Sequence, residues 1–142
     1  LNAILGLAIA SLDTKKKKFL ENIQNDLFDI GADLATPLSK KKNAIRLNKN
    51  QIVLLENKID EINRELSPLK SFILPGGDKV SALLHLARTV CRRSEIQLVK
   101  LLDKKNVNSE ILIYINRLSD LLFVLARQTN RREVLWKPLK NK

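Results

Sequence analysis

The amino-acid sequence predicts an all-α fold, a five-helix bundle, on three observations. Hydrophobic residues make up 44% of the chain but aromatics only 4%, so the core must be built mostly from Leu, Ile, Val and Ala, a balance that favours helix-on-helix packing over a β-sandwich. The four glycines and four prolines cluster between the apolar runs and leave little turn material for a many-stranded sheet. Within those runs the apolar positions recur every three or four residues, the period of one helix face. At 142 residues the chain suits a single domain, residues 1–142, with a substantial core.

The first helix is expected from Leu1 to about Leu12, with Leu1, Ile4, Leu5, Ala8 and Leu12 on one face. Asp13 and Thr14 supply a turn and a helix start. The second runs from about Lys15 to Asp33, where Leu20, Ile23, Leu27 and Ile30 share a face. Pro37 forbids its continuation, and residues 37–49 form a lysine-rich connector. The third helix, about Asn50 to Leu66, carries Ile52, Leu55, Ile59, Ile62 and Leu66 in the narrow seam of a bundle. Pro68 and Pro75 bracket a loop ending in Gly76 and Gly77. Asp78 then stands at the N-cap position of the fourth helix, which continues to about Lys104 with Val80, Leu84, Ala87, Cys91 and Leu98 inward. Asn108 or Ser109 caps the fifth, which reaches about Arg127. It is apolar on most sides, as a central helix would be.

Charge and cysteine content narrow the function classes. Twenty-six Lys and Arg against fifteen Asp and Glu give a net charge of +11, which attracts polyanions without choosing among nucleotides, nucleic acid and acidic surfaces. One cysteine cannot form an internal disulfide. The apolar stretch Leu1 to Leu12 is shorter than the roughly 20 residues needed to cross a bilayer and lacks the flanks of a signal peptide. A cytoplasmic protein with no membrane partner is expected. The chain starts at Leu1 and contains no Met, so it is expected to begin partway through a longer protein.

The fourth helix carries a second line beside its core stripe: Ser81, His85, Arg88, Arg92 and Glu95. Like charges four apart, such as Arg88 and Arg92, repel on a helix unless an anion or carboxylate compensates them. Arginine forks suit phosphate oxygens or carboxylates, and Glu95, one turn beyond Arg92, could orient it, hold a magnesium–water shell or contact a ribose. Taken alone, the line reads more readily as a solvated basic face. The fifth helix shifts the balance, because Asn116, Ser119 and Asp120, with Arg117 beside them, interrupt its apolar surface and need partners if buried. A nucleotide or a polar network between helices would serve equally well. Phe72, Ile73 and Leu74 lie between the two prolines, where they either plug the bundle end or line a site for a large apolar ligand.

Other motifs are set aside. The run Gly76-Gly77-Asp78-Lys79 lacks the Gly-Lys-Ser/Thr ending and preceding strand of a phosphate loop. Cys91 sits on the core stripe, and His85, the only histidine, supports neither a His-based zinc site nor a Ser-His triad. Residues 15–18 and 40–42 read as solvated lysine surface; no aromatics interleave them, which weakens a single-strand nucleic-acid reading.

Four stretches together resemble the ATP:cob(I)alamin adenosyltransferase family of the trimeric helical-bundle type. They are Phe28 to Pro37 (FDIGADLATP), Phe72 to Gly77 (FILPGG), Ala87 to Glu95 (ARTVCRRSE) and Tyr114 to Phe123 (YINRLSDLLF). Leu1 to Gly6 also looks like the tail of the family's first-helix motif. The resemblance implies a homotrimer with sites between subunits, and a reaction in which the cobalt of a reduced corrinoid attacks the 5′ carbon of ATP and triphosphate leaves. Cobalamin is then a substrate, and Mg2+ accompanies ATP. By family position Arg92 is the catalytic residue, stabilising charge on the leaving triphosphate. Arg93, Ser94, Glu95 and Asn116 join it in contacting ATP. Arg88 makes a salt bridge shaping the site between subunits, and Phe72 packs beneath the corrinoid and displaces its lower ligand.

The sequence also departs from the family pattern. The Thr-Gly-Asp-x-Gly segment that wraps the triphosphate is absent, as is the acidic residue expected just before Leu1 as the partner of Arg88. Either a disordered N-terminal segment is missing from the sequence or the protein is truncated, and the lack of an initiator favours the first. The competing expectation is a non-enzymatic basic bundle that binds nucleic acid or an acidic partner. A surface binder needs neither the polar break in the fifth helix nor the Phe72 loop.

Overall fold

A computed structural model describes residues 1–12, 14–40 and 42–139. Asp13 and Lys41, which the sequence places in a turn and in the lysine surface, lie outside the described residues. Those described form five helices: α1 (Asn2–Ala10), α2 (Thr14–Ala35), α3 (Lys49–Asn63), α4 (Lys79–Leu102) and α5 (Glu110–Gln128). Beside them stands one isolated antiparallel bridge, Ile73 to Leu135.

α5 is the central helix. It packs along α4 and α3, while α1 lies against α2 and α4. Tyr114, Leu118, Leu121, Leu122 and Ala126 are fully enclosed on α5, and Ile111, Ile115, Val124 and Leu125 nearly so. At about 1.5–3 kcal/mol for each large aliphatic side chain removed from water, this helix anchors the core. The expected inward stripes are largely found: Leu5 and Ala8 on α1, Leu20, Ile23 and Ile30 on α2, Ile52, Leu55 and Ile62 on α3, and Leu84, Ala87, Cys91 and Leu98 on α4. Leu1, Ile4, Leu12, Leu27, Ile59, Leu66 and Val80 are only partly covered.

Helix ends differ from the sequence reading where local bonds intervene. α1 stops at Ala10 because the Ser11 and Leu12 amides turn back three residues, to Ala8 and Ile9. α3 stops at Asn63 for the same reason, the Glu65 amide reaching Ile62. Its start is a capping box: the Asn48 side chain accepts from Asn50 N (2.9 Å), and the Asn48 amide donates to Gln51 Oε1 (3.2 Å). α4 ends at Leu102 rather than Lys104. Asp78 stands at its N-cap position but does not cap with its side chain; its carboxylate accepts from the Arg131 amide instead (3.0 Å). At α5 it is Asn108, not Ser109, whose side chain accepts from the first-turn amide of Glu110 (3.1 Å).

The connector after Pro37 is anchored rather than loose. Asp33 is buried at the end of α2, where its carboxylate pairs with Arg46 and accepts from Leu47 N (2.9 Å) and Asn108 Nδ2 (2.7 Å). The Arg46 guanidinium also donates to the carbonyls of Thr36 (2.9 Å) and Pro37 (2.7 Å). Burial alone would push the Asp33 carboxyl up, but the bonds from Asn108, Arg46 and the Leu47 amide hold it below its ordinary value.

Candidate functional site

The polar line on α4 divides into two parts. Ser81 and His85 are buried, which corrects their reading as part of an open basic face. The Ser81 hydroxyl donates to Gly76 O (2.9 Å), joining α4 to the glycine loop. His85 meets Phe123 edge-on (6.2 Å between ring centroids). Burial, and then the charge of Arg88, hold its pKa below the ordinary histidine value, with Glu133 pulling weakly the other way.

Further along α4, Arg92, Glu95 and Asn116 are brought together. Arg92 pairs with Glu95 one turn on. The second oxygen of Glu95 accepts from Asn116 Nδ2 on α5 (2.9 Å). Asn116 Oδ1 in turn accepts from Arg117 Nη2 (2.9 Å), and Arg117 pairs with Asp120 (3.1 Å). The polar break in α5 is therefore bonded to α4. Glu95 is three-quarters or more covered (side chain 14% exposed), whereas the Arg92 side chain is 51% exposed. A screened carboxylate thus holds one side of a guanidinium whose remaining donors face outward.

Arg88, two turns before Glu95 on the same face, is handled differently. Its guanidinium lies over the Phe123 ring (4.9 Å to the centroid), and its Nε is buried with no hydrogen-bond partner. A buried donor on a cation is costly to leave unmatched, so this atom marks a place for an acceptor. Arg93 and Ser94 are not drawn into the network. Arg93 is exposed and, among the described residues, has no bonded partner. The Ser94 hydroxyl donates to Val90 O (3.0 Å) and lines a mostly apolar groove of about 460 Å³ with Leu1, Asn2, Gly31 and Gln97. Cys91 is fully buried, its thiol donating to Ile115 O (3.3 Å) and pushed up to about 12 chiefly by burial. That agrees with a packing role and not with a nucleophile.

Phe72 is 78% exposed. The loop that carries it does not plug the bundle end alone, because the C-terminal segment crosses it. Leu74 N donates to Val134 O (2.8 Å) and Trp136 N to Phe72 O (2.7 Å). The Trp136 ring then meets Phe72 edge-on at 6.0 Å. Trp136 was not expected here; a lone tryptophan after α5 has no periodicity to mark it. Among the described residues no three His, Cys, Asp or Glu side chains are grouped to hold a metal, and no helix is long and apolar enough to cross a membrane.

The sequence profile of the family described as Cobalamin adenosyltransferase matches residues 1–129. A corrinoid adenosyltransferase of Mycobacterium tuberculosis is 46% identical over 144 residues, covering 96% of this chain and 75% of its own length. The chain belongs to the cobalamin adenosyltransferase family. Another member, the corrinoid adenosyltransferase of Bacillus subtilis, is 41% identical over 93% of this chain and 70% of its own. A variant PduO-type ATP:corrinoid adenosyltransferase from Lactobacillus reuteri, solved in complex with cobalamin and ATP, superposes with a TM-score of 0.90. It is 36% identical, over 96% of this chain and 80% of its own. The four motifs that carried the resemblance all fall within the residues matched by the family profile.

Proposed function

We propose that the protein transfers the 5′-deoxyadenosyl group of ATP to a cob(I)alamin-type corrinoid, forming adenosylcobalamin and releasing triphosphate. The cobalt(I) lone pair forms the bond to the 5′ carbon, and the C5′–O bond breaks with its electrons leaving on triphosphate. The observation that carries this reading is the Arg92–Glu95–Asn116 arrangement on α4 and α5. One carboxylate orients a cation and an amide at the same spot and leaves further Arg92 donors free.

In this reading Arg92 is the catalytic residue. It stabilises negative charge as it grows on the leaving triphosphate, with Mg2+ bound to ATP sharing that work. Glu95 and Asn116 hold the nucleotide end of the site, and Arg93 and Ser94 meet ATP from the adjoining faces of α4. The corrinoid itself supplies the nucleophile, so the protein's part is orientation and charge. Phe72 faces the corrinoid's lower side, where an apolar ring excludes a polar ligand by bulk and desolvation.

The unmatched Nε of Arg88 supports a subunit-interface salt bridge and hence a homotrimer with sites between subunits. Residues 1–142 act as one helical-bundle domain, with ATP and reduced corrinoid as partners and no role for nucleic acid or membrane. A cytoplasmic setting suits a reaction that needs a strongly reduced cobalt. The alternative, a non-enzymatic basic bundle, rests on net charge alone and leaves the Arg92–Glu95–Asn116 network unused.

The test is an anaerobic mixture of full-length protein, ATP, Mg2+ and chemically reduced corrinoid, followed by the absorbance change of adenosylation. Product is expected from the parent protein, and Arg92→Ala is expected to lose turnover by about 10²–10³-fold while remaining folded. Absence of product with the parent would sink the enzyme reading; full turnover by Arg92→Ala would remove its assigned role.

A further inference from the structure

The site described so far accounts for Phe72 but not for what sets its pose. Among the described residues no helix covers Phe72, which is 78% exposed, and its loop lies between Pro68 and Pro75 outside the helices. Its supports come from the far end of the chain. The bonds Leu74 N to Val134 O and Trp136 N to Phe72 O bracket the Ile73–Leu135 bridge. Between them they fix the backbone on both sides of Ile73. The Trp136 ring, with an interplanar angle of 69°, closes on Phe72 in the edge-to-face geometry that aromatic quadrupoles favour.

One buried side chain on α5 reaches both segments. Arg127, near the end of α5, donates from Nε to Glu133 Oε1 (2.6 Å) and from Nη2 to Ser67 O (2.8 Å). One planar guanidinium therefore holds the start of the Phe72 loop and the start of the returning segment at once. Leu74 is also exposed, and so are Val134, Leu135 and Trp136. Side chains alternate across the bridge, so Phe72, Leu74, Val134 and Trp136 share one exposed face, while Leu135 lies with Ile73 on the other. An exposed apolar patch tethered this firmly is built for contact with something large and apolar.

We propose that Trp136 is the positioning residue for Phe72: its edge-on ring, 6.0 Å from that of Phe72, sets the pose in which Phe72 meets the lower face of the corrinoid. The proposal rests on the reading of Phe72 as the corrinoid-facing residue. Trp136 acts through Phe72: it restricts the Phe72 ring to the height at which that ring excludes the lower ligand. Small misplacements of a positioning group are costly in catalysis.

A double-mutant cycle tests this, with Trp136→Ala, Phe72→Ala and the double variant. The first readout is the visible absorbance of the cobalt(II) corrinoid bound with ATP, which reports whether the lower ligand is on or off. The second is the division of any loss between kcat and the KM values. Trp136→Ala is expected to raise the fraction with its lower ligand on and to cut kcat by about three- to tenfold, the scale of one lost aromatic pair. The KM for ATP should stay within about twofold. In the Phe72→Ala background the same change should add nothing, and Trp136→Phe should restore the parent spectrum. A Trp136→Ala spectrum and kcat equal to the parent's would overturn the proposal, as would an equal loss in both backgrounds. If Trp136→Ala does not fold, Trp136→Leu enters the same cycle, keeping apolar bulk without a ring. Failure of the parent to make product would instead count against the function itself, so the two failures are distinguishable.

Discussion

Asn108 Nδ2 donates to the Asp33 carboxylate at 2.7 Å across 75 residues of chain, and the same side chain's oxygen accepts from the first-turn amide of α5. One amide thus ties the end of α2 to the start of the central helix, and Leu47 O joins through a second bond from Nδ2 (2.9 Å). Asp33→Ala leaves the Arg46 cation without its counter-charge, though it keeps its carbonyl acceptors, and leaves the Leu47 amide and Asn108 Nδ2 without the carboxylate. Loss of about 3–5 kcal/mol is expected, the scale for breaking a buried pair, and urea unfolding would read it. Because the carboxyl is held below its ordinary value, its contribution is present above the unfolded carboxylate value of about 3.9. It fades as pH falls through the lower folded value. The Asp33→Asn variant should lack that acid-side loss.

Asp26 carries the opposite sign. Its carboxylate accepts from the buried Tyr114 hydroxyl (2.8 Å), yet burial, with the charge of Asp29 added, leaves the pKa raised. The folded state therefore keeps a proton that the unfolded chain releases at about pH 3.9. Stability from this group declines as pH rises from there through the folded value. Asp26→Asn retains an acceptor for Tyr114 but cannot ionise. Thermal midpoints measured across pH 3 to 7 should show the variant gaining on the parent as pH rises, and parallel curves would show the assignment to be mistaken.

At the proposed nucleotide end, Asn116→Ala removes the amide that bonds Glu95 on α4 and Arg117 on α5. The helices keep their apolar seam, so stability should fall by only about 1 kcal/mol. Turnover should fall much further, by about 10- to 100-fold, because Glu95 then orients Arg92 less firmly. Equal, small losses in both measurements would mean that the network is structural only.

Gly77 tests the loop that leads into α4. Its φ of +89° lies where side chains are strained, and an added Cβ would come within 2.3 Å of the Asn130 side-chain oxygen. Gly77→Ala is expected to cost more than about 1 kcal/mol and to lower the unfolding midpoint. Combining it with Asn130→Ala should recover the part due to the clash and leave the part due to φ. Full recovery would show that the backbone is not strained there.

Much of the bundle is determined locally, and for that reason it is legible in the sequence. Each helix declares itself through apolar residues three and four apart, and its end through a proline, a glycine pair or a cap. Leu84, Ala87, Cys91 and Leu98 could be placed inward from spacing alone, as could the centrality of α5 from its nearly continuous apolar surface. The spacing on the fourth helix likewise put Glu95 one turn beyond Arg92, where the two side chains pair. Partner choice is another matter, because a hydrogen bond has no period. Nothing in the spacing of residues says that Asn116 meets Glu95, that Asp33 meets Asn108, or that Asp78 leaves its cap position for the Arg131 amide. His85 looked like the neighbour of Arg88 on an open face, yet a rotation of one residue's arc around α4 buries it against Phe123. Trp136 could not be placed at all, since its role depends on a segment returning some 64 positions along the chain to Phe72. The sequence by itself determined the helices, their inward faces and the family to which the chain belongs. Only the tertiary structure decided which polar groups satisfy one another, because that depends on contacts between chain segments that local periodicity does not encode.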